Sequence, residues 1–255
     1  MNINSVINSF FSKIAEIFID IKEEFIFCFI DGDRWKWLVD GFFITLQITL
    51  YSVLLGIAIG VVVAIIRSTY DNNVSTIRNP VGRAILKALN AISKLYLTVI
   101  RGTPVVVQLM LMYYVILVSF DSKVLVASLA FGINSGAYVA EIVRSGIMSI
   151  DKGQFEAGRS LGLSYTQTMI KVIIPQAFKN VLPTLANEFI VLLKETSVSG
   201  YVALEDITKA GDLIRSRTYS AFMPLIAVAI IYLVLVVFFT KLVSILERRL
   251  RNSDH

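Results

Sequence analysis

The stretch from Gly41 to Ile66 sets the first limit on the fold, because its 26 residues carry no charge between Asp40 and Arg67. Backbone groups in hydrocarbon must bond within their own segment, so an apolar run of this length reads as a transmembrane helix. At about 1.5 Å per residue it crosses roughly 30 Å of hydrocarbon with some tilt. A second run, Thr218 to Thr240, has 23 uncharged residues. With 56% of its 255 residues hydrophobic, the chain is expected to be an all-α integral membrane protein. One cysteine, Cys28, and one histidine, His255, leave no disulfide framework and almost nothing for zinc. Cys28 sits among Ile26, Phe27, Phe29 and Ile30, a packing context rather than a reactive one. The net charge of +5 is carried by residues flanking the apolar spans, which points to orientation in a membrane and not to nucleic acid.

The other segments are less plain. Residues 1–40 have no Lys or Arg before Lys13 and no clean apolar core, so no cleavable signal peptide is expected. Ile7, Phe10, Phe11, Ile14, Ile17, Phe18, Ile21 and Phe25 recur at helical spacing, predicting an N-terminal amphipathic helix that lies in the interface, a tether or a lateral anchor. Trp35 and Trp37 mark a water–lipid boundary. Within the first span, Thr45, Thr49, Ser52, Gly56 and Gly60 form a small-residue stripe, for close helix packing or, alternatively, for lining a pore. Residues 67–82 read as a polar loop broken at Asn79-Pro80, followed by a basic amphipathic helix. Its apolar face is Ile85, Leu89, Ile92, Tyr96 and Val99; its polar face, Arg83, Lys87, Asn90 and Lys94, suits lipid phosphates without a specific ligand.

A second span, Gly102 to Phe120, opens at Pro104, and a third starts at Val124. Near the far end of the third, Glu141 and Arg144 share a helix face. They either neutralise each other at a boundary or face a water-filled path. The weakest span, 181–201, contains Glu188, Lys194 and Glu195, and Asn187, Val191, Lys194 and Val198 share one face suited to a hydrophilic route. Residues 202–217 are a polar segment whose helical spacing breaks at Gly211. The last span runs from Thr218 to Thr240, and a basic tail covers 246–255.

Five spans put the termini on opposite sides. With the N-terminus outside, the inner segments carry fifteen Lys and Arg: six in 67–101, five in 144–179 and four in 241–251. The outer segments carry the other nine of 24, so the positive-inside rule predicts N-out and C-in. That orientation sets Gly153–Phe178 in the cytoplasm, a polar, glycine-punctuated island expected to be where an external motor grips the membrane part. No G-x-x-x-x-G-K-[ST] phosphate loop, no H-E-x-x-H and no internal histidine base occur, so the chain is not expected to be an enzyme.

The island also carries a pattern. Glu156-Ala157-Gly158, then Gly162, Val172, Ile174 and Pro175, resembles the E-A-A-x(3)-G-x(9)-I-x-L-P sequence of the membrane permeases of bacterial ABC importers. Gly158 stands for the third alanine, Val172 for isoleucine and Ile174 for leucine. RGTPVVVQLMLMYY (101–114), SGAYVAEIVRSGI (135–147) and NEFIVLLKETS (187–197) are similar to the polar amino acid branch of that family, and the likeness covers roughly 41–245. The resemblance implies an ABC importer transmembrane domain over 41–245 in the bacterial inner membrane, taking up polar amino acids. It implies a coupling helix over 154–163, with Glu156, Ala157, Gly158, Arg159, Gly162 and Pro175 meeting the ATPase.

The implied partners are two copies of a cytoplasmic ATPase, a second permease chain, an extracellular amino-acid-binding protein, the lipid membrane and an amino acid substrate, with no nucleic acid. No cofactor is expected in this chain, because ATP and Mg²⁺ would bind the ATPase. Candidate translocation-path residues are Thr103, Gln108, Glu141, Arg144, Asn187, Glu188 and Lys194. The competing expectation is a self-contained secondary transporter or channel using Glu188 or Glu141 as an ion relay; no internal inverted repeat supports it.

Overall fold

The computed structural model describes residue 13 and residues 16–74 and 77–252, which form helices and connecting turns with no strand among them. Helix α1, residues 16–25, leads into a π-turn at Ile26–Ile30. Ile7, Phe10, Phe11 and Ile14 of the expected greasy face lie outside the described residues, while Ile17, Phe18, Ile21 and Phe25 are exposed. The π-turn, in contrast, is anchored. Cys28 and Phe29 are buried in a cluster with Leu38, Ile214 and Met223, and the Ser220 hydroxyl bonds the Glu24 carboxylate.

Helix α2, Trp35–Asn73, and helix α5, Lys123–Met148, form the centre. Thr45, Thr49, Ser52, Gly56 and Gly60 are all buried, and the Ser52 hydroxyl donates to the Ser128 carbonyl at 3.2 Å. A Cβ on Gly60 would stand 2.5 Å from Val139, and one on Gly132 would stand 2.7 Å from Leu55. The stripe is therefore a packing seam and not a pore wall, since hydrogen in place of a methyl lets the two backbones close. Contacts run in register from Ser52–Ser128 through Gly60–Val139 to Arg67–Glu141, so the two helices are parallel and finish at the same end.

Several boundaries depart from expectation. The polar loop does not begin at residue 67; α2 continues to Asn73, held by the Arg67–Glu141 pair at 2.9 Å and by Asn72 bonding the Ser68 carbonyl. Helix α3, Pro80–Arg101, starts where expected, with the Asn79 side chain accepting from the Val81 and Gly82 amides. Its inward stripe, however, is Leu86, Asn90, Ser93 and Leu97, whereas Ile85, Leu89, Ile92 and Val99 face outward. In a membrane an apolar face has no need to turn inward, so the buried stripe lies about a third of a turn round the helix from the apolar face, with half-buried Tyr96 reaching the Ile133 carbonyl.

The Gly102–Phe120 segment is not one straight helix. Pro104 is extended (φ −64°, ψ 137°) and caps a short helix α4, Val105–Leu111, whose continuation to Ile116 lies at 106° to α3. Beyond the α5–α6 turn come helix α6, Lys152–Ser160, and α7, Tyr165–Thr168. A π-turn, Met169–Ile173, then opens into α8, Ile174–Glu195, and a 3-10 turn at Thr196–Val202. Helix α9, Ile207–Thr218, runs straight through Gly211, which breaks nothing: a Cβ there would meet Val228 of α10 at 2.3 Å. Helix α10, Phe222–Asn252, begins four residues later than the uncharged run.

Among the described residues, α2, α5 and α10 are long and apolar enough to cross a membrane, and the bent α3–α4 pair makes a fourth if it counts as one span. The 181–201 stretch is helical but too polar to join them by composition.

Candidate functional site

Three polar features stand out on this scaffold. The first is the knuckle of α6 and α7 at the end where α5 finishes. Asp151 caps α6 through the Gly153 amide, and Ser164 with Gln167 forms a capping box on α7. The turn between them passes through Gly162 at φ +80°, a conformation that glycine adopts at no steric cost. Leu161, just before it, is 82% exposed, an apolar side chain held out from the tip. Glu156, Ala157 and Arg159 are exposed, and among the described residues Glu156 and Arg159 form no ion pair with each other. Gly158 faces inward, where a Cβ would stand 2.6 Å from Thr168.

Phe155 and Val172 pack with Ile147, Ile150 and Ile173, so the knuckle is clamped to the foot of α5. Pro175 occupies the first turn of α8, where the π-turn Met169–Ile173 passes into it, and it ends no helix.

The second feature is a polar layer along α5. Gln108 donates to the Ile100 carbonyl at 2.8 Å and to the Thr103 hydroxyl at 2.7 Å, while accepting from Asn134 at 2.9 Å. One side chain thus ties both sides of the α3–α4 bend to α5. The next residue, Ser135, donates to Glu188 of α8 at 3.0 Å, and Tyr96 donates to the Ile133 carbonyl at 2.6 Å. Asn134, Ser135 and Tyr96 were not singled out from sequence as site residues, because a single amide or hydroxyl in an apolar helix gives no periodic signal. Of the proposed α8 face, Asn187 and Lys194 are exposed while Val191 and Val198 are half-buried; Glu188 lies off that face, against α5.

The third feature is an ionic cluster near the shared end of α2 and α5. Glu141 accepts from Arg67 at 2.9 Å on one oxygen and from Arg144 at 3.2 Å on the other, and Arg144 also lies 3.7 Å from Asp71. Both carboxylate oxygens are engaged. Of the sequence alternatives for Glu141, the pairing with Arg144 is present, and Arg67 and Glu141 also line an open cleft of about 470 Å³ with Lys94, Thr98 and Arg101. The structure therefore brings Thr103 together with Gln108, and Glu141 with Arg144, and leaves these two groups separate from Glu188. Among the described residues no group of three His, Cys, Asp or Glu could hold a metal ion.

Comparison with known proteins puts this arrangement in context. Residues 80–252 match the family described as the binding-protein-dependent transport system inner membrane component. The chain is 36% identical over 220 residues to the arginine transport system permease protein ArtQ of Bacillus subtilis (strain 168), covering 85% of this chain and 94% of that one. It is 32% identical over 223 residues to the L-cystine transport system permease protein TcyB of the same organism, covering 85% and 87%. A crystal structure of an amino acid ABC transporter with histidines superposes with a TM-score of 0.75 at 39% identity, over 87% of this chain and 98% of that one. An inward-facing MetNI methionine ABC transporter, at 20% identity and a TM-score of 0.69, shares the fold.

Proposed function

The chain belongs to the binding-protein-dependent transport system inner membrane components, and from that membership we propose a permease subunit of an ATP-driven importer of polar amino acids. The single observation that carries the reading is the α6–α7 knuckle, which bears the family's pattern on an exposed tip. It lies at the end of the parallel α2–α5 pair and offers exposed Leu161 together with Glu156 and Arg159, which have no ion-pair partner among the described residues. Amino acid uptake is supported by likeness to permeases named for arginine and cystine and to a solved amino acid transporter.

In this reading the knuckle seats in a groove of a separate ATPase, which binds ATP and Mg²⁺. Two ATPase copies, a second permease chain and an extracellular amino-acid-binding protein complete the assembly in the bacterial inner membrane. Five spans with the N-terminus outside set the knuckle in the cytoplasm, and the bent α3–α4 pair and the polar α8 supply the spans that composition alone leaves short. Closure of the motor swings the knuckle as a rigid body, and the spans re-orient between two access states. The polar layer of Gln108, Asn134, Ser135 and Glu188, with Asn187 and Lys194 on the exposed side of α8, supplies groups for a hydrophilic route.

The relay alternative fares worse, because Glu141 is held in an ion-pair cluster with Arg67 and Arg144, apart from Glu188 on the Ser135 hydroxyl, so the two acids form no continuous chain. The test is co-purification with the ATPase followed by hydrolysis assays in vesicles. Glu156→Lys and Gly162→Asp are expected to abolish substrate-stimulated ATP hydrolysis; normal uptake and hydrolysis by both variants would remove the coupling assignment.

A further inference from the structure

The cleft between α2, α3 and α5 has a composition that the transport reading leaves unused. It measures about 470 Å³ and is lined by Arg67, Lys94, Leu97, Thr98, Arg101, Gly102 and Glu141, three cations against one carboxylate. Glu141 is satisfied by Arg67 and Arg144, and the second acid nearby, Asp71, lies against Arg144. Lys94 and Arg101 have no ion-pair partner among the described residues; the Arg101 guanidinium rests 5.6 Å from the Tyr138 ring centroid. Lys94 and Arg101 thus leave the cleft with positive charge that no acid among the described residues pairs, and a cleft lined by one sign of charge concentrates the opposite ion.

The surroundings select among anions. On α3, the exposed apolar Leu95 follows round the helix from Thr98, and Ile92 and Val99 continue that exposed apolar surface on the side away from Lys94 and Arg101. A free phosphate or carboxylate would gain nothing from them, whereas acyl chains would lie along them. The cleft is also at the shared foot of α2 and α5, near the knuckle, where inner-leaflet headgroups would lie under the orientation argued above. Basic pockets between helices on that side are the kind that retain anionic headgroups.

We propose that this cleft is a specific site for an anionic glycerophospholipid. The phosphodiester meets Arg67, Lys94 and Arg101, the Thr98 hydroxyl can add a hydrogen bond, and the acyl chains cover the outward face of α3. The lipid would brace α3 against the α2–α5 pair on the side of the α3–α4 bend. This rests on the chain spanning a membrane, but not on which amino acid is carried or on how the knuckle couples to its motor.

The assembled importer, purified in detergent, is incubated with dioleoylphosphatidylglycerol or dioleoylphosphatidylcholine and examined by native mass spectrometry. Retention of the anionic lipid over the zwitterionic one is expected. Lys94→Gln with Arg101→Gln should weaken that retention about 30-fold, two headgroup charges' worth. Lys94→Gln alone, at a side chain with no partner to lose, should weaken it roughly fivefold and answers the case in which the double variant fails to assemble. Lys241→Gln with Arg248→Gln removes the same charge from the exposed end of α10, outside the cleft, and should leave retention unchanged. Equal retention of both lipids, or equal losses in the two double variants, overturns the site. Displacement by inorganic phosphate with no lipid retained, or displacement by the amino acid cargo, would reassign the cleft to a free anion and overturns it as well.

Discussion

At the scale of single residues, the glycines of the knuckle separate two physical roles. Gly162 has open space around it and a left-handed φ of +80°, so any substitution strains the backbone without a clash. Gly162→Ala should cost about 1 kcal/mol and lower coupled hydrolysis more than it lowers the melting temperature, measured on the assembled complex. Gly158 is the reverse case. Its φ is ordinary, but a methyl would press on Thr168, which is buried and bonded to the Ser164 carbonyl at 3.1 Å. Gly158→Ala should destabilise by about 1–3 kcal/mol, and adding Thr168→Ser should recover most of that in a thermal unfolding cycle.

The family pattern has alanine there; this chain has a glycine matched to its own threonine. That match was invisible in sequence, because ten residues separate the pair. Asp206, the N-cap of α9, gives a pH signature. Burial, the largest influence, lifts its carboxyl from 3.8 to about 6, against bonds from the Thr208 and Lys209 amides that pull the other way. Between those values the folded chain holds more protons than the unfolded one, so its stability falls as pH rises through that window. Asp206→Asn should keep the cap and flatten the melting-temperature slope between about pH 4 and 6.

At the scale of elements, the α3–α4 bend is where sequence reasoning stopped short. Arg101-Gly102-Thr103-Pro104 correctly marked a helix start, yet the 106° turn depends on Gln108 reaching back to Ile100 and Thr103 and sideways to Asn134. Gln108→Leu leaves the Asn134 amide and the Ile100 carbonyl short of partners. It should cost about 1–3 kcal/mol, with faster amide hydrogen exchange across 100–108 as the readout. The α2 and α10 spans were legible from charge-free length alone. The α3 faces were not, since in lipid the apolar side of a helix and its packed side need not coincide. In the weak 181–201 segment the polar residues stood out in sequence but their partners did not: Glu188 is met by Ser135 across the interface, a contact with no local sequence signal.

At the scale of the whole molecule, the parallel arrangement of α2 and α5 fixes which ends lie together, and orientation follows once one end is located. Cys28 is buried, so thiol labelling has little native background. Leu161→Cys should react with a membrane-impermeant maleimide only when the cytoplasmic face is open, and Lys123→Cys only from outside. Reaction of both from one side would contradict the proposed topology. Helix class was thus readable in advance, while the polar layer along α5 and the basic cleft required the folded chain. The seam between α2 and α5 has one more implication. With no side chain on Gly56, Gly60, Gly132 or Gly136 to act as a bearing, the two rods meet without backlash. Joined in this way, α2, about 58 Å long from its 39 residues, becomes a strut. A push at its foot arrives at the far end as tilt, and none of it is lost as slack between the rods.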